Sequence, residues 1–135
     1  MHTLGHDFVP PGIHGGGLRY HGDSPLVSQL HHEGLVDAVA IPQLETFAAG
    51  VLFARSEGIV PAPESTHAVA AAERSARECA GSAEPRTILF NLSGHGYFDM
   101  SAYDRYLNNE LEDDKFPVEA IEESLSHLPE VLRQS

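Results

Sequence analysis

The residues best suited to chemistry follow a short apolar run in the second half of the chain. Residues 87–91 read TILFN, which is typical of a buried strand, and residues 91–96 read NLSGHG. In open α/β sheets, ligands bind just beyond the carboxyl ends of the strands. Ser93 offers a hydroxyl that can donate or accept a hydrogen bond, and Gly94 and Gly96 would let the backbone approach a ligand closely. An ordinary turn explains the same spacing equally well.

A second candidate is Glu64, which lies in a segment, residues 57–67, that reads EGIVPAPESTH. An acidic residue at the start of a helix is often only a cap that the helix dipole stabilises. The functional interpretation instead places the Glu64 carboxylate in a pocket at the end of a strand. The residues alone leave both interpretations open.

Histidine is concentrated at the start of the chain, which raises the hypothesis of a metal site. Six histidines occur within the first 32 residues: His2, His6, His14, His21, His31 and His32. Their spacings match no compact zinc motif, and the single cysteine, Cys79, is far from them in the sequence. Metal binding is therefore the less favoured interpretation.

Composition and charge argue against several classes of function. The formal net charge is -12, from 20 acidic and 8 basic side chains, which disfavours binding to nucleic acid or to an anionic membrane surface. The sequence shows no signal-peptide pattern and no apolar run long enough to span a bilayer. Because Cys79 is the only cysteine, no disulfide can form within the chain, and a cytoplasmic location is expected.

Hydrophobic periodicity and helix-stop residues predict the elements that would position these candidates. Helices are predicted at residues 25–33, 43–57, 64–80, 103–111 and 118–133. Strands are predicted at residues 35–41 and 87–91. Gly34 and Gly58 are expected to end the first two helices.

These elements predict an α/β fold with a partial parallel sheet and flanking helices. Two strands are too few for a doubly wound sheet, so the pattern indicates part of a larger one. We expect one partial domain, in which a Gly/Pro-rich loop region (residues 1–25) precedes an α/β core (residues 26–111) and an acidic C-terminal helix (residues 112–135). An exposed sheet edge predicts self-association.

Four motifs in fixed order resemble a known family. They are HTLGHDFVPP at residues 2–11, GLRYHG at 17–22, EGIVPAPESTHA at 57–68 and LFNLSGHGYFDM at 89–100. Together they resemble the C-terminal portion of the tryptophan synthase β chain family, in its divergent second type. The similarity covers nearly the whole chain, through Leu132.

The resemblance implies a fold-type II pyridoxal-phosphate enzyme, a lyase of tryptophan biosynthesis that joins indole to a unit derived from serine or phosphoserine. It implies that Ser93 hydrogen-bonds the pyridine nitrogen of the cofactor, and that Glu64 lies beside the ring and helps to orient it. Gly94 and Gly96 would shape the pocket wall.

The chain departs from this family in the groups that perform catalysis. Its only lysine, Lys115, lies in the acidic run at residues 112–115, which should keep the ammonium group charged. The Schiff-base lysine and the phosphate-binding loop of the family precede the region that is matched here. We therefore expect no catalytic residue in this chain, no activity of the chain alone, and binding of pyridoxal phosphate only with a complementing N-terminal segment.

Three hypotheses about the function of the chain follow. The first is a reading frame begun inside a longer gene, or one half of a split gene, whose N-terminal partner restores the enzyme. The second is a non-catalytic remnant or binding module that uses the face where the absent sheet would pack. A histidine-rich metal-binding protein is the third and weakest hypothesis.

Overall fold

The computed structural model describes residues 1–82, 85–113 and 117–129. Within these residues the chain forms five α-helices and one 3-10 turn, Gly16–Leu18. The helices are α1 (Pro25–His32), α2 (Gln43–Glu57), α3 (Pro63–Cys79), α4 (Met100–Leu107) and α5 (Val118–Ser126).

Local signals account for the first three helices, whose predicted positions are confirmed. Pro25 and Pro63 occupy the first turns of α1 and α3, where the missing N–H of proline costs no helical hydrogen bond. Gly58 ends α2 in the left-handed conformation with φ of 72°, as predicted. Gly34, just after α1, also has a positive φ, of 69°.

The last two helices differ from their predicted bounds. The helix α4 begins at Met100 and ends at Leu107, whereas the sequence pattern placed it at residues 103–111. It starts earlier because the turn before it ends at Asp99, whose carbonyl accepts the amide hydrogens of Ala102 and Tyr103. The helix α5 begins at Val118 as predicted and ends at Ser126; residues 130–135 of that prediction lie outside the described residues.

No strand forms within the described ranges, so the expected partial parallel sheet is not observed there. Residues 36–41 and 87–91 have no regular structure, and their backbones make no hydrogen bond to another described residue. A strand requires a neighbour to satisfy its N–H and C=O groups, and an apolar pattern cannot supply one. Among the residues that the structure describes, two isolated antiparallel bridges form, Thr3 with Gly22 and Pro61 with His95.

The described residues fall into two compact units. The first contains residues 1–12 and 19–39 together with the described part of residues 115–135, so it includes α1 and α5. Within it, the backbone N–H of His2 donates to Ser28 Oγ at 2.9 Å, and Asp7 Oδ2 lies 2.9 Å from His127 Nδ1. These contacts tie the first residues of the chain to both helices of this unit.

The second unit contains residues 13–18 and the described part of residues 40–114, and it is built on the packing of α2 against α3. One buried apolar cluster consists of Ile41, Ala49, Val69 and Ala70. A second consists of Phe47, Ala102, Tyr103 and Leu111. Arg74 on α3 donates two hydrogen bonds of 2.5 Å to Glu45 on α2, and this interaction holds the pKa of the Glu45 carboxyl below its ordinary value.

Of the helices that the structure describes, none combines the length and the apolar character required to cross a membrane.

Two phenylalanines of the second unit differ in burial and should therefore differ in their contribution to stability. Phe47 is completely buried, whereas Phe98 is 92% exposed. Phe47→Ala should lower the free energy of unfolding by about 3–5 kcal/mol, because it removes buried apolar surface and leaves a cavity. Phe98→Ala, the matched control, should change it by less than about 0.5 kcal/mol. Urea denaturation followed by circular dichroism measures both, and equal losses would show that Phe47 is not a core residue.

Candidate functional site

The structure brings together the two segments that contain the predicted site residues. The amide of Ala62 donates to the Gly94 carbonyl at 2.9 Å, and the amide of Gly96 donates to the Val60 carbonyl at 2.7 Å. These two bonds form the antiparallel bridge between Pro61 and His95. The turn at residues 93–96 is thereby held against the residues that lead into α3.

This pairing places Ser93 beside the first turn of α3. The hydroxyls of Ser93 and Ser65 are 3.1 Å apart, so one donates a hydrogen bond to the other. Ser65 is buried, with 2% of its surface exposed, whereas Ser93 is exposed to solvent. One hydrogen bond therefore holds the hydroxyl of Ser93, a residue at the surface, against the first turn of α3.

Glu64, which precedes Ser65 in the first turn of α3, binds a second loop. Its Oε1 accepts a hydrogen bond from the amide of Gly17 at 3.0 Å. The residue before α3, Ala62, makes no side-chain cap, and Glu64 does not bond the free amides of its own helix. The Glu64 carboxylate thus connects α3 to the 3-10 turn, and the helix dipole still favours its negative charge at this end.

The two glycines of the turn are packed differently. A Cβ on Gly96 would lie 2.5 Å from the Pro61 carbonyl oxygen and 3.0 Å from Tyr103 Cε2, so no larger residue fits without a shift of the backbone. A Cβ on Gly94 would meet only the Cβ of Ala62, at 3.3 Å. Gly96 is therefore required for the close approach of the two segments, and Gly94 is less constrained.

Two residues of this site were missed by sequence reasoning. Ser65 stands next to Glu64, and a hydroxyl in the first turn of a helix could have signalled a polar partner there. The hydroxyl of Tyr103, a buried residue of α4, donates to the Pro61 carbonyl at 2.6 Å. No spacing in the sequence indicates that contact, because it joins elements 42 residues apart.

His67 lies one turn after Glu64 on α3 and is half-buried. Burial lowers the pKa of His67 below its ordinary value of 6.5, and the nearby Glu64 carboxylate partly opposes this effect. His67 is therefore favoured in its neutral form beside the Glu64 charge.

The histidines of the N-terminal region do not converge. In the part of the chain that the structure describes, no group of three or more His, Cys, Asp or Glu side chains could hold a metal ion. His2 Nε2 lies 3.1 Å from His31 Nδ1, and His6 Nε2 lies 3.3 Å from Asp7 Oδ1. Lys115 falls outside the described residues.

A separate apolar groove lies along α2 and α3, with a volume of about 270 Å³. Its lining includes Phe53, Val69, Ile88 and Phe90, and it contains none of the four predicted site residues. The groove is thus distinct from the polar group around Ser93.

Comparison with known proteins shows which proteins the chain is similar to. No protein-family model matches the chain. It is 65% identical over 113 residues to the tryptophan synthase beta chain 2 of Aquifex aeolicus, covering 84% of this chain and 26% of the relative. The protein of the same name from Methanosarcina acetivorans is 61% identical over 111 residues, with 82% and 25% covered. That of Pyrococcus abyssi is 54% identical over 113 residues, with 84% and 26% covered.

The chain therefore spans about a quarter of the length of these relatives, and the portion that it matches is C-terminal. The matched identity is high over some four fifths of the chain, which confirms the resemblance drawn from the four motifs.

The two glycines of the turn provide a matched pair for mutation. Gly96→Ala should lower the free energy of unfolding by about 1–3 kcal/mol, because the added methyl group overpacks the Pro61 carbonyl. Gly94→Ala should change it by less than about 1 kcal/mol, since reduced freedom of the unfolded chain offsets a mild contact. Urea denaturation measures the free energy of unfolding of both variants. Equal losses in the two would contradict the packing described for Gly96.

The lowered pKa of His67 predicts a dependence of stability on pH. The unfolded chain binds a proton at this site more readily than the folded chain does, so acidification below pH 6.5 favours unfolding. His67→Gln should therefore lose less stability than the wild type between about pH 7.5 and about pH 5.5. Urea denaturation at the two pH values measures the difference.

The control for this experiment is His32→Gln, because His32 is exposed at the end of α1. An identical dependence on pH in the wild type and in His67→Gln would show that His67 does not contribute.

Proposed function

Because the chain is homologous to the C-terminal portion of tryptophan synthase β chains of the second type, we propose that it forms the cofactor-ring side of a pyridoxal-phosphate lyase. The fold would be that of the fold-type II enzymes to which this homology points. The reaction would join indole to serine or phosphoserine to give tryptophan. The observation that carries the proposal is the hydrogen bond between the hydroxyls of Ser93, an exposed residue, and Ser65, a buried one.

The donor set fits the cofactor that the family implies. A serine hydroxyl can donate a hydrogen bond to a pyridine nitrogen without transferring its proton, because it is not an acid near neutral pH. Ser65 can donate to Ser93 at the same time, which leaves the Ser93 proton free to be donated to the cofactor. When bound, pyridoxal phosphate supplies the electron sink for bond breaking in the amino acid.

The other predicted residues take supporting roles in this proposal. Glu64 would lie beside the ring and orient it, with Gly17 limiting the movement of its carboxylate. Gly94 and Gly96 would form the pocket wall, and the absence of side chains there lets the backbone lie close to the ring.

Catalysis requires groups that this chain does not supply. Its only lysine is Lys115, in an acidic segment, and the sequence contains no glycine-rich phosphate loop. We propose that an N-terminal segment, in a longer chain or a separate one, supplies both groups, and that the 135 residues alone form a partial domain without activity. The lone cysteine and the biosynthetic role of the named relatives support a cytoplasmic location.

The proposed N-terminal segment would also supply the strands that complete the sheet. Ile88 and Phe90 line the groove along α2 and α3, whereas Leu89, between them, is 95% exposed. This alternation, together with a backbone that makes no hydrogen bond to another described residue, suits a strand with one face already covered by helices. Parallel strands from the complementing segment would pair with residues 87–91 and give the partial sheet that the sequence pattern predicts.

A non-catalytic binding module is the second candidate. The observation that favours it is the exposure of large apolar side chains, among them Leu89 at 95% and Phe98 at 92%. Apolar surface of this kind drives association, either with a partner or between copies of the chain.

Titration with pyridoxal phosphate separates the two candidates. With pyridoxal phosphate, the chain alone should give no absorbance band of a Schiff base with a protein lysine. Such a band should appear when the chain is mixed with the N-terminal three quarters of the Aquifex aeolicus relative. Ser93→Ala should weaken cofactor binding in the mixture by about five- to tenfold, because one hydrogen bond is lost. Ser126→Ala, which changes a serine bonded only within α5, should bind as the wild type does.

A band in neither sample would favour the binding module. A band whose affinity is the same for wild type and Ser93→Ala would contradict the role given to Ser93.

A further inference from the structure

The hydroxyl of Tyr103 is held in one place. The residue is 4% exposed, and its hydroxyl donates to the Pro61 carbonyl at 2.6 Å. The ring packs edge-on against Phe47, with centroids 5.1 Å apart. A Cβ on Gly50 would lie 2.9 Å from the Tyr103 hydroxyl oxygen, so the absence of a side chain on α2 makes room for it.

Pro61 depends on this hydroxyl. Its neighbours Val60 and Ala62 use their backbone groups to pair with the turn at residues 94–96, but the Pro61 carbonyl takes no part in that pairing. Proline has no N–H, so the carbonyl is the only hydrogen-bonding group of this buried residue. Tyr103 is its only partner among the described residues.

The segment at residues 60–62 is thus held from two sides by one short stretch of chain. Gly94 and Gly96 bond it through their backbones, and α4, which begins at Met100, returns Tyr103 to it. The start of α3 follows at once, and the Ala62 carbonyl accepts the first helical hydrogen bond, from Thr66, at 3.0 Å. Any shift of this segment would move the start of α3 away from the turn.

From this arrangement we infer that Tyr103 is a positioning residue of the proposed cofactor site. By holding the Pro61 carbonyl, it keeps Ser65 and Glu64 in register with Ser93, although it touches no ligand itself. The inference rests on the proposed function for the identity of the ligand. The contact between residues 60–62 and residues 94–96 does not depend on the proposed function.

The hydroxyl remains a donor throughout the neutral range. Burial raises the pKa of Tyr103 to about 12, and the negative charge of Asp99 acts in the same direction. Deprotonation therefore does not break the contact with Pro61 under ordinary conditions.

Hydrogen exchange of the 135-residue chain tests the contact without any cofactor. Tyr103→Phe keeps the ring and removes only the hydroxyl. The amides of Ala62 and Gly96 should then exchange about tenfold faster relative to that of Gly58, which ends α2 and bonds Ala54. Equal acceleration at all three amides would reveal general destabilisation and would overturn the inference.

Tyr106→Phe is the matched control. Tyr106 also packs against Phe47, with centroids 5.6 Å apart, but its hydroxyl has no hydrogen-bond partner in the described part of the chain. Its removal should leave the exchange of Ala62 and Gly96 unchanged relative to Gly58. Equal acceleration of these two amides in both tyrosine variants would overturn the inference.

Cofactor affinity in the complemented mixture gives the second measurement. Tyr103→Phe should weaken pyridoxal phosphate binding about threefold or more, whereas Tyr106→Phe should not. Faster exchange at Ala62 and Gly96 with unchanged cofactor affinity would overturn the positioning role. If no mixture gives a band, the proposed function fails, while the exchange measurement still decides whether Tyr103 holds the two segments together.

Discussion

The antiparallel pairing of residues 60–62 with residues 94–96 is the contact on which the candidate site depends. It joins the entry to α3 to the turn that contains Ser93, and it does so with only two backbone hydrogen bonds. Such a short pairing cannot hold its register by itself, since isolated two-stranded contacts are marginally stable in water. The close packing at Gly96 and the hydroxyl of Tyr103 supply the additional restraint.

The helical core provides the rigid base for this pairing. The helices α2 and α3 pack along their length, and α4 adds Tyr103 and Ala102 to the cluster around Phe47. Tyr103 belongs both to this cluster and to the contact with Pro61, so the packing of the core also restrains the segment at residues 60–62. A turn anchored to helices in this way is held more precisely than one that packs against loops alone.

The segment at residues 87–91 has the side-chain pattern of a strand without the backbone pairing of one among the described residues. Its apolar side chains alternate between the groove along the helices and solvent, yet its backbone groups have no partners among the described residues. The chain spans about a quarter of the length of its relatives, and the complementing segment proposed above would supply the neighbouring strands. Both proposed functions, the complemented enzyme and the binding module, use the exposed surface of residues 87–91.

The sequence by itself determined the helices with strong local signals and the family. Pro25, Pro63 and Gly58 act within one turn of their own positions, so the positions of α1, α2 and α3 could be predicted, although the predicted ends of α1 and α3 differ slightly from the observed ones. Only the tertiary structure decided that Ser65 meets Ser93, that Glu64 binds Gly17, and that Tyr103 holds Pro61. It also decided that residues 87–91 pair with no other described segment. Contacts between distant segments depend on which backbone groups packing brings together, and local propensity does not encode that choice.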